Sequence, residues 1–561
     1  MNKIKHLYTE GGKTLSGEEY NIYPRPQLKR DSFLSLNGKW TLVLNGGQRL
    51  PITVPYPPES LLSGVFKDMG KDPSYAYTRS FTLPNGFKKD RVIINFGAVD
   101  QICKVYVNDC YVGKNVGGYN HFSFDITNYL LEGANTLTVR VWDKLSEKDL
   151  PYGKQRYKRG GMWYTPISGI WQSVWLESVP DEYVKALYIK TTANHAKIYF
   201  MGVDTGTLIL NTESGDREYA VEHGICEITM PSPRLWSPSD PYLYTFTARF
   251  GQDEISSYLA FRTLEVKKVG GFQRLCLNGK PFFFHGILDQ GYFSDGIFTP
   301  ASPEEYRNDI LRMKELGFNT LRKHVKVEPD IFYYECDRLG MIVFQDFVNN
   351  GAYSFLRDTA VPTVLSKKFP EALMRRTKRQ RDGFTDGVRK TLRQLYSHPC
   401  ICYWTIFNEG WGQFDSDKMY DFVEETDRSR FIDSTSGWFK KKKSDVESLH
   451  VYFKPVKLEF SDKPIILSEF GGYSYKVEGH SANEKQTYGY KLFNNKKEFQ
   501  AGLVKLYTEQ IIPAIKQGLC GAIYTQLSDV EDETNGLYTY DRQVCKVDRQ
   551  VMLKIAEKLK I

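Results

Sequence analysis

Two glutamates stand where acid–base and nucleophilic chemistry could take place. Glu409 follows an apolar run at residues 404–407, and Glu469 follows a second apolar run at residues 465–467, 60 residues after Glu409. Glycines close to each acid leave room for a ligand. Two carboxylates that face one pocket can divide the work of catalysis, because one that burial keeps protonated acts as an acid while the other stays ionised as a nucleophile. Retaining glycosidases hold such a pair about 5–5.5 Å apart.

Each glutamate also has an ordinary explanation. Glu409 could cap the helix predicted over residues 414–429 or pair with a surface lysine, and Glu469 has similar alternatives. The two together favour a catalytic site, because both follow buried strands whose ends a parallel barrel brings to one face.

Polar or titratable groups end seven of the eight strands predicted in the second half of the chain, which solubility alone does not explain. Besides the two glutamates, the candidates for substrate binding at these ends are His285, Arg322, His324, Asp346, Asn408, His450, Tyr452 and Tyr524. Trp438, just beyond the fifth strand, is a further candidate for lining a sugar pocket. No HxH or HExxH spacing occurs, so we expect the histidines to position other groups and not to bind a metal.

The elements that must position these residues alternate regularly after residue 265. The strand-like runs are residues 282–286, 318–322, 341–346, 402–407, 431–435, 449–453, 465–468 and 522–526. Helical patterns separate most of them, for example over residues 328–339, which Gly340 closes. This alternation predicts a (β/α)8 TIM barrel with its site at the carboxyl ends of the strands. An open doubly wound sheet is the alternative, and it is disfavoured because no glycine-rich phosphate turn follows the first strand.

Before residue 265 the pattern is different. Short runs of alternating apolar and polar residues are separated by Gly, Asn, Asp and Pro, as expected of antiparallel β-sandwiches. Residues 181–264 carry a second set of such runs, close in length to an immunoglobulin-like sandwich. The expected domains are therefore residues 1–180, 181–264 and 265–561.

Composition argues against several classes of protein. Of the 561 residues, 41% are hydrophobic and 25% are charged, so neither a disordered nor a membrane-spanning chain is expected. The net charge of +8 is small for this length and its charges are mixed along the chain, which gives nucleic-acid binding little support. Nine scattered cysteines form no CxxC motif, and the first eight residues contain no apolar signal segment. These features predict a cytoplasmic location.

Short motifs occur in order through all three expected domains. In the first they lie at residues 96–100, 105–108, 124–127 and 168–172, and in the second at residues 235–238 and 261–262. In the third they lie at residues 278–281, 318–322, 336–340, 407–409 and 468–471. Their order and spacing resemble glycoside hydrolase family 2, the family of β-galactosidases, β-glucuronidases and β-mannosidases. The resemblance implies a jelly-roll β-sandwich, an immunoglobulin-like β-sandwich and a C-terminal TIM barrel.

The resemblance also implies a reaction, the retaining hydrolysis of terminal β-linked sugars through a covalent glycosyl-enzyme, most like that of a β-galactosidase. Glu409 matches the family's general acid/base and Glu469 its nucleophile. Asn408 matches the residue that binds the sugar 2-hydroxyl. Tyr452 resembles the tyrosine that orients the nucleophile, and Arg322 matches the arginine of strand two close to it.

The sequence departs from the family pattern at positions that bear on the substrate. Tyr524 stands where relatives often carry a tryptophan platform. Strand two continues as Arg-Lys-His where β-galactosidases and β-glucuronidases often have Arg-x-Ser-His, and strand one lacks the Asn-x-His-Glu run of metal-dependent β-galactosidases. We therefore expect no metal and no other cofactor. Glucuronidases hold the uronate carboxylate with an Asn-x-Lys motif. The corresponding residues 532–536 are acidic here and would repel an anion. Lys323 or Lys326 could still supply the positive charge that a uronate needs.

Two alternatives stay open at this point. One is another specificity on the same machinery, such as that of a β-glucuronidase, and the other is a non-catalytic carbohydrate-binding protein on this scaffold. The expected partner is a carbohydrate, with no nucleic acid and no membrane. Family members often assemble through their β domains, so a homo-oligomer is an open option whose symmetry the sequence does not fix.

Overall fold

Two antiparallel sheets form the N-terminal part of the computed structural model, which describes residues 5–354, 356–360, 371, 374, 376–437, 439 and 441–561. The four-stranded sheet has the order Leu34–Ser35, Val174–Val179, Arg91–Phe96 and Phe122–Asp125. The six-stranded sheet has the order Arg49–Val54, Gly38–Leu44, Ser74–Thr82, Ala134–Trp142, Ile102–Val107 and Cys110–Val116. Alternate residues of both sheets, such as Ile94 and Val139, share one buried apolar core. This is the β-sandwich that the alternating pattern predicts.

A smaller sandwich follows. Its three-stranded sheet contains Ala186–Thr191, His195–Met201 and Ile225–Thr229, and its four-stranded sheet contains Arg217–Val221, Gly206–Leu210, Tyr244–Phe250 and Asp253–Leu259. Ile198 and Phe246, one from each sheet, lie in a common core. The antiparallel strands Leu264–Val269, Phe272–Leu277 and Lys280–Pro281 then lead into the last part of the chain.

Eight parallel strands alternate with helices in this last part. The strands are β1 Phe284–Asp289, β2 Thr320–Lys323, β3 Ile342–Asp346, β4 Ile401–Asn408, β5 Phe431–Ser436, β6 Glu447–Val451, β7 Ile465–Gly471 and β8 Leu519–Thr525. The helices are α1 Glu304–Glu315, α2 Asp330–Leu339, α3 Lys378–Leu395, α4 Ser416–Thr426, α5 Lys496–Leu506, α6 Ile512–Ile515 and α7 Arg549–Ala556, with a π-helical turn Tyr507–Ile511 between α5 and α6. The hydrogen-bonded order is β5-β4-β3-β2-β1-β8-β7-β6, which is the predicted TIM barrel.

One seam of this barrel is joined by side chains. No ladder pairs β5 with β6 within the described residues, but Ser436 Oγ at the end of β5 lies 2.9 Å from His450 Nε2 on β6. This side-chain contact between β5 and β6 lies at the carboxyl ends of the strands, where a TIM barrel carries its site.

Aromatic rings fill the barrel toward the amino ends of its strands. Tyr403 stacks on Phe344 with ring centroids 4.2 Å apart, and Phe284 lies 5.2 Å from Phe344 and 6.5 Å from Phe431. Such a filled interior is a packed core and not a pore. Polar side chains gather at the opposite ends of the strands.

Glycine ends α2 where the barrel meets the smaller sandwich. Gly340 has a left-handed φ of 71°, and a Cβ there would lie 2.7 Å from the carbonyl oxygen of Pro238. Only glycine meets both conditions without strain. None of the described helices is long and apolar enough to cross a membrane.

Candidate active site

A buried arginine on β2, Arg322, connects the ends of five strands. Its Nε donates to Asp346 Oδ1 at 3.0 Å and its Nη1 donates to Glu469 Oε1 at 2.9 Å. Its Nη2 donates to Asn408 Oδ1 at 2.8 Å and to Ser436 Oγ at 3.1 Å. Because the guanidinium is planar and permanently charged, these bonds fix the relative positions of all five groups. We call Arg322, Asp346, Asn408, Ser436 and Glu469 the inner cluster.

Glu469 on β7 is held as a carboxylate. Arg322 binds its Oε1, and the hydroxyl of Tyr452 donates to its Oε2. Burial alone would raise the pKa of Glu469, but the charges of His450 and Arg322 outweigh burial and lower this pKa to about 2. The group is thus ionised at neutral pH, as a nucleophile requires.

Glu409 follows β4 directly and is held by a histidine. Its Oε1 lies 2.7 Å from His450 Nδ1, and a Cβ on Gly437 would come within 2.9 Å of that nitrogen, so a glycine at this position makes room for the ring. Glu409 has a φ of 51°, a strained left-handed conformation of the kind that clusters at functional sites. It does not cap α4, whose N-cap is Asp415.

The two glutamates lie on either side of His450, whose Nδ1 is 2.7 Å from Glu409 Oε1 and whose Nε2 is 3.6 Å from Glu469 Oε1. One carboxylate oxygen of each and one nitrogen of His450 all lie within 4.8 Å of one another. Carboxylates whose oxygens approach this closely suit a retaining glycosidase, with a carboxyl separation of about 5–5.5 Å, better than an inverting one, with roughly 6.5–9.5 Å. The same three groups have the chemistry to hold a divalent cation, but the Arg322 charge at 2.9 Å from Glu469 opposes one electrostatically.

Two more predicted residues join this site. Asp346 Oδ2 accepts a hydrogen bond from His324 Nδ1 at 2.8 Å, while burial lowers the pKa of His324 below its usual value. Asn408 uses its carbonyl oxygen for Arg322 and for Ser436 Oγ at 3.0 Å, which leaves its Nδ2 to donate into the pocket.

Two predicted residues lie elsewhere. His285 is the second residue of β1 and not its end, and its Nε2 lies 3.1 Å from the hydroxyl of Tyr507. Tyr524 packs against Phe470 with ring centroids 5.7 Å apart, and Phe470 in turn contacts Tyr507 at 5.5 Å. We call His285, Phe470, Tyr507 and Tyr524 the outer cluster, since it lies between the barrel and its helices. His285 and Tyr524 therefore lie apart from the inner cluster, because alternate residues of a strand face opposite sides.

Trp438 lies outside the described residues, so its predicted place in the pocket stays a prediction. The two lysines suggested for a uronate carboxylate are both described, and both are buried and paired. Lys323 Nζ lies 2.5 Å from Asp289 Oδ2, and Lys323 and Lys326 each lie 2.9 Å from Glu328 Oε1. Neither has a free ammonium for a substrate, so the expectation that one of them supplies the cation is wrong.

Several contributors were not predicted. Ser436 ends β5, and it would have followed from the strand-end rule if the fifth strand had been extended by one residue. Tyr490 stacks on Tyr452 with centroids 3.9 Å apart, and Tyr164 of the N-terminal sandwich donates a hydrogen bond to Glu533. No local motif marks Tyr490 or Tyr164, because each reaches the site from a distant loop.

Comparisons with known proteins agree with this architecture. The sugar binding domain of glycosyl hydrolases family 2 matches residues 33–180, a second description of the family matches residues 185–262, and its TIM barrel domain matches residues 265–559. A β-D-glucuronidase of Dictyoglomus thermophilum has a solved structure that is 17% identical with a TM-score of 0.74, covering 96% of this chain and 98% of that one. That likeness shows the fold.

Two relatives found by sequence comparison are longer than this chain. The β-galactosidase of Priestia megaterium is 24% identical over 516 residues, which are 82% of this chain and 46% of that protein. The β-galactosidase large subunit of Leuconostoc lactis is 24% identical over 528 residues, 86% of this chain and 79% of that protein. The chain thus spans about half the length of the first of these relatives. Since the TIM barrel match alone covers more than half of its residues, the chain belongs to glycoside hydrolase family 2.

Proposed function

We propose that the chain is a retaining exo-β-glycosidase, most like a β-galactosidase, with Glu409 as acid/base and Glu469 as nucleophile. The observation that carries the proposal is one site in which Arg322 keeps the Glu469 carboxylate ionised while His450 holds Glu409 with an oxygen within 4.8 Å of an oxygen of Glu469. The names of the β-galactosidase relatives support the choice of sugar.

In the first step, the Glu469 carboxylate attacks the anomeric carbon and the bond to the glycosidic oxygen breaks. Glu409, as a neutral acid, donates its proton to that oxygen, so the aglycone leaves as an alcohol and the sugar remains as an ester on Glu469. In the second step, Glu409, now a carboxylate, takes a proton from water, and the hydroxide displaces Glu469 from the same carbon.

The neighbours of the glutamates serve this sequence of steps. Arg322 and Tyr452 hold the two oxygens of Glu469, so the nucleophile keeps one orientation before attack. The free Nδ2 of Asn408 donates to the sugar 2-hydroxyl, a bond that strengthens in the oxocarbenium-like transition state.

An assay with 4-nitrophenyl β-glycosides tests the proposal. We expect turnover of the β-galactoside, release of the β-anomer as first product by NMR, loss of activity in Glu469→Gln, and no loss in Glu425→Gln, an exposed control on α4. If a different glycoside is cleaved, the galactosidase assignment fails and the mechanism stands. Sugar binding without turnover of any glycoside, and without an effect of Glu469→Gln, would support a non-catalytic carbohydrate-binding protein instead.

We also propose the division of the chain at residues 180/181 and 264/265, a cytoplasmic location and a homo-oligomer. All nine cysteines are free thiols and seven are buried, which suits a reducing compartment. Light scattering of the purified protein tests the oligomer, with a mass of 64.8 kDa expected for a monomer.

A further inference from the structure

A loop of the N-terminal sandwich, residues 152–165, crosses the mouth of the barrel. At one end, the backbone N–H of Tyr152 donates to the carbonyl oxygen of Asn349, just after β3, at 3.0 Å. At the other end, Tyr164 donates to Glu533, and the backbone N–H of Thr165 donates to Glu531 Oε1 at 2.8 Å. The loop thus spans from the end of β3 to the segment that follows β8.

Glu533 sits at this second end with one oxygen anchored and the other free. Its Oε2 accepts from Tyr164 and from Gln526 Nε2 at 3.2 Å, and Gln526 is itself fixed by Gln290 Nε2, at 2.7 Å, from the end of β1. Its Oε1 has no hydrogen-bond partner within the described residues. Gln526 follows β8 and Gln290 follows β1, so these bonds place Glu533 at the carboxyl-end face of the barrel, the face at which β7 presents Glu469. Burial raises the pKa of Glu533, and repulsion from Glu469 adds to that rise.

Lys154 brings a positive charge from the same loop. Its side chain is half-buried, and among the residues that the structure describes its ammonium makes no hydrogen bond or ion pair. Tyr164, which binds Glu533, donates its backbone N–H to the carbonyl oxygen of Lys154 at 3.1 Å, and a Cβ on the preceding Gly153 would lie 2.8 Å from the carbonyl oxygen of Val325, just after β2. The charge of Lys154 lowers the pKa of Glu533 and of His324. A free donor and a free acceptor therefore lie at the carboxyl-end face of the barrel, contributed by two different domains.

We infer that Glu533 and Lys154 form a recognition pair for the glycone, in which Glu533 Oε1 accepts a hydrogen bond from one sugar hydroxyl and Lys154 Nζ donates to a neighbouring hydroxyl. The inference rests on the proposed function and deepens it. A hydroxyl can serve both partners, because it donates to a carboxylate and accepts from an ammonium. A uronate carboxylate at the same place would meet the charge of Glu533, so the pair selects a neutral sugar over its uronic acid.

The test compares a neutral 4-nitrophenyl β-glycoside with its uronide counterpart, β-galactoside against β-galacturonide, on the full-length protein. Glu533→Gln is expected to lower kcat/KM for the galactoside by about 10- to 100-fold, the range for a lost hydrogen bond to a charged group, and to lower the galactoside-to-galacturonide ratio by at least about tenfold. Lys154→Met is expected to lower kcat/KM for the galactoside by about tenfold. The matched control is Glu531→Gln, in the same segment after β8 as Glu533. Glu531 binds Arg159 and Thr165, and the galactoside-to-galacturonide ratio of this variant should stay at the wild-type value.

Each outcome decides the matter, because a ratio taken within one sample does not depend on the folded fraction. An unchanged ratio in Glu533→Gln, with wild-type turnover intact, would overturn the pair and leave the proposed function standing. A wild type that prefers the galacturonide, and loses that preference in Lys154→Met, would also overturn it by making Lys154 a uronate-binding residue. If no glycoside is turned over, the proposed function fails, and calorimetric titration of Glu533→Gln with galactose and galacturonate still tests the pair through binding.

Discussion

The two sides of the barrel strands bury titratable groups equally well and treat them in opposite ways. In the inner cluster, burial of Glu469 is outweighed by neighbouring charge, and its pKa falls to about 2. In the outer cluster nothing opposes burial strongly, and the pKa of His285 falls to about 4, which leaves the ring neutral. Glu469 and Phe470 are adjacent in sequence and still belong to different clusters. Two neighbours on one strand can therefore have very different electrostatic surroundings, as Glu469 and Phe470 do on β7.

This difference follows from the cost of burying ions. A buried charge is tolerated only when partners replace its lost hydration, and Arg322 supplies that replacement for two carboxylates at once. The outer cluster holds rings and one neutral imidazole. The Nδ1–H of His285 donates to the carbonyl oxygen of Gly317 at 2.9 Å, so this neutral imidazole needs no counter-ion.

Glu469→Gln should give the largest effect. The amide cannot form the glycosyl ester, so kcat on an aryl β-glycoside should fall by roughly 10⁴- to 10⁶-fold, the scale seen when a catalytic nucleophile is removed. Steady-state kinetics measure this, with His285→Gln as the matched variant from the outer cluster. Residual activity above about 1% would remove Glu469 from the role of nucleophile.

Glu409→Gln should come next. Loss of the general acid should lower kcat by about 10²- to 10⁴-fold for a poor leaving group and by less for 2,4-dinitrophenolate, which leaves without a proton. Added azide should restore turnover and yield a β-glycosyl azide, detected by NMR. An equal loss for both leaving groups, with no rescue, would argue against an acid/base role.

Arg322→Lys keeps the positive charge and removes the planar guanidinium, so it tests whether that planar group is needed. A lysine cannot reach Asp346, Asn408 and Glu469 together, so we expect a loss of about 3 kcal/mol in unfolding free energy, as for a broken buried pair. With its partner displaced, the pKa of Glu469 should rise. The acid limb of the kcat/KM profile should then move to higher pH, and an unmoved limb in a folded variant would contradict this link.

His285→Gln should leave kcat within about twofold and change stability with pH instead. The unfolded imidazole titrates near 6.5 and the folded one near 4, so below pH 6.5 the unfolded state binds more protons and the wild type loses stability as pH falls toward 4. At pH 5 the loss amounts to roughly 2 kcal/mol. Urea unfolding at pH 7 and pH 5 measures this loss. If the variant loses as much unfolding free energy between the two pH values as the wild type, His285 is not the source of the loss.

Much of the barrel was predictable because its signals are local. Alternating strands and helices, and glutamates next to glycine, can be identified within short windows of sequence. The side that a strand-end residue faces is harder to predict, since a shift of one residue exchanges the two faces, and the structure places His285 and Tyr524 in the outer cluster. Lys154 and Glu533 come to the same face of the barrel only through the folding of separate domains, which no local pattern encodes.

Trapping of the covalent intermediate tests the central claim most directly. A 2-deoxy-2-fluoro β-galactosyl fluoride should inactivate the enzyme with one sugar bound per chain, because the fluorine slows release of the ester more than its formation. Mass spectrometry of the digested protein should place that sugar on Glu469. A label on Glu409, or continued turnover with no label on any residue, would contradict the account.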